Sequence, residues 1–370
     1  MCRRRACVHR LPAAAPDDVS AIERAIAEGE IEPRGIVAVL GKTEGNGCVN
    51  DFTRAFAVRA LRDLLARHLD APAAAAISLV MSGGTEGALA PHWIVMERRP
   101  AEDDATGPAL AIGTAHSPDL PFEHLGRREQ AAMVATTVRA AMDDAGIDRA
   151  EDVHFVQIKC PLLTAERIGL AERKGKAVAT RDTLKSMALS RGASALGVAL
   201  ALGELDPARI TDDAIAGDMS LYASRAGTSG GVELLNHEVV VLGMSGAWSG
   251  PLAIDHAVMA DAIDVEPVRE AMRRLGLDAG RQLDGSGRGR LVALLAKAEA
   301  GSTGRLRGRR HTMLDDSDIS STRHARAFVA GVLAGLVGHA ELFVSGGAEH
   351  QGPDGGGPVA VIVEREGAPA

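Results

Sequence analysis

Short apolar runs rich in β-branched residues alternate along the chain with longer stretches whose apolar residues lie three and four positions apart. The short runs are typical of strands and the longer stretches of amphipathic helices. Strands are predicted at residues 36–40, 76–81, 93–96, 153–158, 219–224, 239–242, 290–295, 341–344 and 359–362. Helices are predicted at residues 17–30, 51–68, 127–145, 193–205, 257–263, 268–275 and 320–337. This alternation indicates an α/β protein.

A five-residue pattern, Ser-Gly-Gly-x-Glu, accompanies three of the predicted strands. Its copies begin at Ser82, Ser229 and Ser345. Two glycines after a serine leave the hydroxyl beside backbone N–H groups that no side chain covers, which suits a nucleophile or an oxyanion site. A single copy would be an ordinary Gly-rich turn. Three copies in 370 residues indicate a shared function.

The same order of features recurs in each third of the chain. A strand ends at a lysine, an arginine stands at a helix start, and a later strand leads to the serine. The three sets are Lys42, Arg54 and Ser82; Lys159, Arg191 and Ser229; and Lys297, Arg323 and Ser345. The repetition predicts three structurally similar α/β units, at residues 1–104, 112–250 and 255–370. The units are expected to pack around a pseudo-threefold axis, with one central active site.

The second unit differs slightly from the other two. Residues 224–228, Ser-Arg-Ala-Gly-Thr, are not a plain apolar run. We therefore expect Ser229 to lie on a loop, whereas its two relatives lie at strand ends. A different environment would be a physical reason for only one of the three serines to react.

The overall charge and hydropathy exclude several classes of protein. The formal net charge of −8 argues against a nucleic-acid partner. No apolar run approaches the ~20 residues that span a bilayer, and no signal-peptide core is present near the N-terminus, so we expect no membrane contact and a cytoplasmic location. The four cysteines form no Cys-x-x-Cys pair, which fits a reducing compartment. The twelve histidines form neither His-x-His nor His-Glu-x-x-His, which argues against a catalytic zinc site.

Serine and lysine together can perform nucleophilic catalysis. A neutral lysine amine can remove the serine proton, and burial beside other cations lowers a lysine pKa toward neutrality. The glycine after each serine offers an N–H group to a developing oxyanion, and each guanidinium offers two donors to a carbonyl or imide oxygen. Threefold repetition of these groups matches a flat ring that carries three carbonyl oxygens.

At this point the sequence resembles the cyanuric acid hydrolase and barbiturase family, over essentially its whole length. The resemblance is carried by residues 41–47 (Gly-Lys-Thr-Glu-Gly-Asn-Gly), 81–87 (Met-Ser-Gly-Gly-Thr-Glu-Gly), 296–299 (Ala-Lys-Ala-Glu) and 345–353 (Ser-Gly-Gly-Ala-Glu-His-Gln-Gly-Pro). It implies a hydrolase that opens the s-triazine-trione ring to carboxybiuret, which then loses carbon dioxide to give biuret. No metal takes part in bond breaking in this family.

The resemblance also implies roles for single residues. Ser229 would be the nucleophile and Lys159 its base. The remaining groups would hold the substrate: Arg54, Arg191 and Arg323, the pairs Ser82/Gly83, Ser229/Gly230 and Ser345/Gly346, and the lysines Lys42 and Lys297. Ile319, four positions before Arg323, would bear on the choice of substrate.

The family further carries a structural divalent cation, Mg²⁺ or Ca²⁺. Its ligands here would be Glu299 and the loop positions Ala348, Gln351, Gly352, Pro353 and Gly356. A carboxylate with free carbonyl groups suits such a hard cation. The family resemblance also implies a homo-oligomer, a tetramer, whose subunits each bind a small cyclic imide.

Two other functions stay open from the sequence. Barbiturase opens a related pyrimidine-trione ring to ureidomalonate, and its substrate differs from cyanuric acid at one ring position. A non-catalytic small-molecule binding protein could also fold three units around a metabolite.

Overall fold

The computed structural model describes residues 3–101 and 107–366. The predicted ends of the first and third units, at residues 104 and 370, lie outside these ranges. The first part of the chain consists of β1 (Arg4–Pro12), α1 (Ser20–Ala27), β2 (Ile36–Thr43), α2 (Phe52–Leu65), α3 (Ala71–Ala75), β3 (Ser78–Gly83) and β4 (His92–Pro100).

The second part of the chain consists of β5 (Ala109–His116), α4 (Arg128–Ala145), β6 (Val153–Pro161), α5 (Ala165–Arg173), α6 (Thr183–Ala201), β7 (Ala226–Gly231), β8 (Glu238–Ser245) and β9 (Trp248–Ser249). The third part consists of β10 (Leu252–Met259), α7 (Glu266–Arg274), α8 (Gly285–Arg290), β11 (Leu291–Ala298), β12 (Arg305–Leu306), β13 (Arg309–Arg310), α9 (Ser321–Val337), β14 (Phe343–Gly346) and β15 (Gly357–Glu364).

Three sheets share one strand order. The first sheet runs β3-β2-β4-β1, with β9 added at its edge, the second β7-β6-β8-β5, and the third β14-β11-β15-β10. Among the four strands that the sheets share, one pair is parallel (β2 with β3, β6 with β7, β11 with β14) and the other pairs are antiparallel. The added strand β9 is parallel to β1. The architecture is therefore a mixed α/β fold in which one topology occurs three times.

The parallel pair of each sheet places a lysine directly beside a serine. Lys42 is the register partner of Ser82, Lys159 of Ser229, and Lys297 of Ser345. Side chains at one register position point to the same face of a sheet. The pairing therefore brings two residues that lie 40 or more positions apart in sequence to one point at the strand ends.

Buried residues from all three sheets pack together in one core. Leu40 of β2, Val156 of β6 and Leu295 of β11 belong to a single cluster of buried residues that draws on all three sheets. The residue before Leu40, Val39, instead packs in a cluster with Leu61 of α2. In the first sheet, alternate residues thus face the other sheets and the sheet's own helices, which is why its strands appear as continuous apolar runs.

Several local predictions were wrong, each for a traceable reason. Residues 252–259 form the edge strand β10, although part of this stretch was predicted as the helix at 257–263; a short apolar run does not distinguish the two. Residues 219–224 form an irregular segment with one isolated β-bridge, between Ala223 and Gln351, and not a strand. The strands β1 and β5 were not predicted. In β1 the sequence Arg-Arg-Ala-Cys-Val-His-Arg-Leu-Pro is mostly half-buried, so it lacks a strong apolar pattern.

Two predictions about the second sheet also fail. Ser229 lies within strand β7, not on a loop, because the small residues before it pack against buried neighbours such as Phe155. Arg191 is in the interior of α6, not at a helix start, because the helix begins eight residues earlier, after Asp182 accepts a hydrogen bond from the N–H of Lys185. Within the described residues, no helix is long and apolar enough to cross a membrane.

Helix α4 packs so closely on β5 that one position admits only glycine. A Cβ at Gly113 would lie 1.9 Å from the carbonyl oxygen of Ala141. We expect Gly113→Ala to lower the free energy of unfolding by about 2–3 kcal/mol, because α4 must shift away from the sheet. The control is Gly331→Ala on the exposed face of α9, where no atom lies within 4 Å; we expect it to raise that free energy by about 0.5–1 kcal/mol. Urea unfolding measures both, and equal effects would contradict the close contact.

Candidate active site

A small polar pocket lies where the three parallel strand pairs end. The space between its atoms is ≈270 Å³ when the open mouth is counted. Its lining consists of three serines, the glycine after each serine, three arginines and two further residues: Ser82, Ser229, Ser345, Gly83, Gly230, Gly346, Arg54, Arg191, Arg326, Gly47 and Met81. The structure thus brings residues from the three repeated motifs to one place.

In the first and third sheets the lysine holds its serine. Lys42 Nζ donates to Ser82 Oγ at 3.3 Å, and Lys297 Nζ donates to Ser345 Oγ at 3.0 Å. Lys297 also donates to the carbonyl oxygens of Thr228 (2.8 Å) and Gly346 (3.1 Å). Each of these two serines therefore accepts a hydrogen bond from its lysine and can direct its own O–H into the pocket.

The second sheet is different. Lys159 Nζ donates to the carbonyl oxygen of Met81 at 2.7 Å and lies 2.8 Å from Oε1 of Glu233. The contact between Lys159 and Glu233 is a buried ion pair. Ser229 Oγ instead lies 3.2 Å from Ser345 Oγ. Among the contacts of the described residues, Lys159 does not bond to its own serine.

The three lysines are fully buried, which favours their neutral form. Burial holds the pKa of Lys42 well below its usual value and lowers the pKa of Lys297 to about 7. Burial also lowers the pKa of Lys159, although the Glu233 carboxylate opposes that effect. A lysine amine with a lowered pKa can act as a base near neutral pH.

Two of the pocket arginines form buried ion pairs with the glutamate that ends a Ser-Gly-Gly-x-Glu motif. Arg191 donates to Glu349 through Nε (2.8 Å) and Nη2 (2.6 Å), and Arg326 donates to Glu86 through Nε (2.6 Å) and Nη2 (2.6 Å). Burial disfavours both charges, but the pairing outweighs it: the pKa of Arg191 is raised and that of Glu349 is lowered. Each pair joins two different sheets and fixes the guanidinium plane at the pocket wall.

The third arginine has no such pair. Arg54 donates to the carbonyl oxygens of Gly230 (2.9 Å) and Cys48 (2.7 Å), while its Nε has no hydrogen-bond acceptor in the described part of the chain. Glu233, the glutamate of the remaining motif, lies beside Lys159. Arg54 and Lys159 nevertheless both lower the pKa of Glu233 against the effect of burial. The arrangement therefore departs from threefold regularity at Ser229.

Arg326 lines the pocket at the place where the repeated order of features predicts Arg323. Arg323 lies instead in a wider outer cavity, with its Nη2 3.9 Å from Cys48 Sγ. Ile319 is 45% exposed and lines neither cavity. A signal for Arg326 was present, because Arg-Ala-Phe occurs at both 54–56 and 326–328. Aligning the repeats on this tripeptide pairs Arg54 with Arg326.

The glycine after each serine is required by close neighbours. A Cβ at Gly83 would lie 1.8 Å from the Asp51 carboxylate, one at Gly230 would lie 2.7 Å from Met187, and one at Gly346 would lie 2.5 Å from Thr322. Asp51 also caps α2 through the N–H of Thr53 and accepts a bond from the N–H of Gly47 at 2.8 Å. The glycines therefore let other segments approach the pocket walls.

The residues suggested for a structural cation lie near one another behind this pocket. Burial, and then the nearby Glu349 carboxylate, raise the pKa of Glu299, so this side chain would gain from a positive partner. The N–H of Ser302 donates to Asp354 at 2.9 Å, which ties the segment after Glu299 to the loop at 348–356. The Gln351 side chain accepts from the N–H of Thr228 and donates to the oxygen of Gly347, so it is already engaged within the protein. A carboxylate with loop carbonyls fits Mg²⁺ or Ca²⁺.

Comparison with known proteins defines the class. A family model described as "Amidohydrolase ring-opening protein" matches residues 7–364, so the chain belongs to that family. It is accordingly a hydrolase of cyclic amide C–N bonds.

Its relatives narrow the class further. The chain is 65% identical over 366 residues to the cyanuric acid amidohydrolase of Bradyrhizobium sp. (strain ORS 375), covering 98% of each chain. It is 62% identical over 358 residues to that of Azorhizobium caulinodans, covering 97% of this chain and 98% of the relative.

Solved structures agree with these relatives. The crystal structure of cyanuric acid hydrolase from A. caulinodans aligns with a TM-score of 0.91 at 61% identity, over 98% of this chain and 99% of that chain. A second cyanuric acid hydrolase structure, described as an evolutionary innovation by structural concatenation, aligns with a TM-score of 0.93 at 47% identity, over 98% and 100%. The fold is therefore that of the cyanuric acid hydrolases.

The Arg191–Glu349 pair should contribute strongly to stability, because removing one partner leaves a buried charge. We expect Glu349→Gln to lower the free energy of unfolding by about 2–4 kcal/mol. The exposed Glu151, which pairs with Arg149 at the surface, is the control: Glu151→Gln should leave the free energy of unfolding nearly unchanged, because water screens such a pair. The double variant Arg191→Met/Glu349→Gln should lose less than the sum of the single variants. Additive losses in urea unfolding would contradict the coupling.

Proposed function

We propose that this protein is a cyanuric acid amidohydrolase. The observation that supports this most directly is the pocket, in which a serine, a glycine and an arginine occur three times around one small space. Cyanuric acid is a flat ring with three equivalent carbonyl groups, so each set has one ring oxygen to bind. We infer that the three sheets and their helices form units around a pseudo-threefold axis, with boundaries near residues 104, 112, 250 and 255. The names of the relatives point to the same substrate.

In the proposed reaction Ser229 attacks one ring carbonyl. Lys159, in its neutral form, accepts the hydroxyl proton as the Oγ–C bond forms. One of the two C–N bonds at that carbon then breaks, the lysine returns the proton to the departing ring nitrogen, and the opened chain stays bound to Ser229 as a carbamate ester. Water hydrolyses this carbamate: Lys159 takes a proton from the water and returns it to Ser229 Oγ as the Oγ–C bond breaks. The product is carboxybiuret, which loses carbon dioxide to give biuret. Water is the only co-reactant, so atoms and electrons balance.

The other groups would hold the ring. Arg54, Arg191 and Arg326 present N–H groups at the pocket wall, and Ser82 and Ser345 can donate because Lys42 and Lys297 already donate to them. The backbone at Gly83, Gly230 and Gly346 would complete the three clamps. We assign Arg323 to the outer cavity, where it would attract the substrate before it enters.

The choice of Ser229 as nucleophile rests on its departure from symmetry. A hydroxyl that accepts a lysine N–H has one lone pair occupied, and this is the state of Ser82 and Ser345. Among the described contacts, Ser229 Oγ accepts no hydrogen bond from a lysine. Its register partner Lys159 contacts Glu233 and the Met81 carbonyl instead. Lys159 can therefore be recruited when the substrate binds, and Glu233 keeps it close.

The cation, assembly and location complete the proposal. Glu299 and the backbone of Ala348, Gln351, Gly352, Pro353 and Gly356 would hold Mg²⁺ or Ca²⁺, which would neutralise the Glu299 charge and brace the loop after Ser345. The cation takes no part in the reaction. A cytoplasmic homotetramer is the expected form.

Barbituric acid is the second candidate substrate, because it differs from cyanuric acid at one ring position and the pocket repeats the same groups at every position. A pure binding protein would contain the same pocket. Incubation with each ring and assay of biuret and ureidomalonate separates the three. We expect biuret from cyanuric acid; ureidomalonate would favour barbiturase, and no product from either ring would favour a binding protein.

A serine series tests the assignment of roles. We expect Ser229→Ala to lower kcat at least ~1,000-fold, because it removes the attacking atom. Ser82→Ala and Ser345→Ala should mainly raise KM, by about 10-fold each, because each loses one hydrogen bond to the ring. The exposed Ser220→Ala, whose hydroxyl bonds only to Asp218 in the structure, is the control. Equal loss of kcat with unchanged KM in all three pocket variants would contradict the division of roles.

The pH profile tests the base. Because Lys159 must be neutral to act, kcat/KM should rise with pH, and because burial lowers its pKa, the midpoint should lie below the ~10.4 of a free lysine. Lys159→Arg should be inactive at every pH, because a guanidinium keeps its proton. Lys297→Gln should retain the same rising limb even with weaker binding. Loss of the limb in Lys297→Gln would assign the base to Lys297.

A further inference from the structure

Two histidines and an aspartate meet near the end of β6 that lies opposite Lys159. His154 near the start of β6 and His256 in the middle of β10 place their Nδ1 atoms 2.9 Å apart. Asp255 Oδ1 lies 3.4 Å from His154 Nδ1 and 3.9 Å from His256 Nδ1. Lys159 is five residues further along β6, roughly 16 Å away at ~3.3 Å per residue. The cluster is therefore separate from the proposed active site.

The geometry is close to that of three ligands around one metal ion. Zinc binds nitrogen and oxygen at about 2.0–2.1 Å, so tetrahedral ligands lie about 3.3 Å apart. The three distances in the cluster, 2.9, 3.4 and 3.9 Å, scatter around that value. Two imidazole nitrogens and a carboxylate are a donor set that favours zinc and its neighbours over Mg²⁺ or Ca²⁺. The side chains are 13–25% exposed, so water can fill the fourth position.

The aspartate is held in place by contacts outside the cluster. Arg274 Nε donates to Asp255 Oδ2 at 2.6 Å, and the N–H of His256 donates to Oδ1 at 2.7 Å. Arg274 also donates to the carbonyl oxygen of His256 at 3.2 Å. Such outer contacts orient metal-binding carboxylates in proteins.

The charges around the cluster are paired. Arg274 pairs with Asp255, and Arg225, which also acts on His256, pairs with Glu204 at 2.8 Å. A divalent cation would meet no unpaired positive group from these neighbours. The two imidazoles at present share one hydrogen bond, and a metal ion would replace the proton between them.

We propose that His154, Asp255 and His256 form a structural site for a transition-metal ion of the zinc class. His154 belongs to the second sheet, whereas Asp255 and His256 belong to the third. The ion therefore joins the two sheets, and its binding stabilises the folded chain by mass action.

The test is Zn²⁺ titration of the full-length protein, with metal content measured after gel filtration and Tm measured at each concentration. We expect one Zn²⁺ per chain at this site and a rise in Tm. His256→Gln and Asp255→Asn should each weaken binding at least 10-fold and remove the rise, while ring-opening activity stays unchanged. The exposed His68→Ala is the control and should bind as the unaltered protein does.

Two further readouts keep the outcome decisive if one variant folds poorly. Bound Co²⁺ should give the visible absorption bands of a tetrahedral site in the unaltered protein and in His68→Ala, and lose them in His256→Gln and in His154→Gln. Mg²⁺ should not displace Co²⁺, whereas Zn²⁺ should. Equal Zn²⁺ content and equal Tm shifts in all variants, or octahedral Co²⁺ spectra throughout, would overturn the proposal.

Discussion

The burial of like charges at one point is the constraint on which the rest of this structure depends. Three lysines lie fully buried at the strand ends, and three arginines lie at the wall of the same pocket. Buried cations are tolerated when they are paired or neutral. The protein uses both solutions, because carboxylates from the Ser-Gly-Gly-x-Glu motifs pair with Arg191, Arg326 and Lys159, whereas burial lowers the pKa of the lysines. The glutamate of each motif is therefore as necessary as its serine.

The three motif carboxylates do not have equivalent partners, so the pocket is not fully threefold symmetric. Where the carboxylate binds an arginine, in the contacts of Glu86 and Glu349, the guanidinium is fixed. The third carboxylate, that of Glu233, lies beside Lys159. Arg54 therefore donates to backbone carbonyls, and Lys159 donates to the Met81 carbonyl and not to its own serine. One exchange of partners thus changes the surroundings of Lys159 and Arg54 at once. In the reaction that we propose, this break in regularity is what distinguishes Ser229 from Ser82 and Ser345.

Much of this could be read from the sequence because the motif repeats. The strands before Lys42, Lys159 and Lys297 and those that lead to Ser82 and Ser345 were predicted near their observed positions, whereas the strand that carries Ser229 was not. The parallel register that sets each lysine beside its serine is seen only in the structure. The exceptions have physical causes. Arg326 was overlooked because Arg323 stands at the same distance from the helix start as Arg54, whereas the pocket depends on where each helix lies. The Lys159–Glu233 contact depends on the side-chain conformations that a densely packed pocket allows. The spacing of residues along the chain does not specify these conformations.

The partners of these ion pairs come from different sheets, and this links folding to function. Glu86 follows the first sheet's β3, whereas Arg326 lies on α9 beside the third sheet; Glu349 follows β14, whereas Arg191 lies on α6 beside the second. Lys297 likewise donates to the Thr228 carbonyl on β7. One sheet with its own helices would leave half of each ion pair without its partner, and Lys159 would lose the Met81 carbonyl, which belongs to the first sheet. The pocket therefore forms only when all three sheets are in place, so one continuous chain, which keeps the three at high effective concentration, is the form that this chemistry favours.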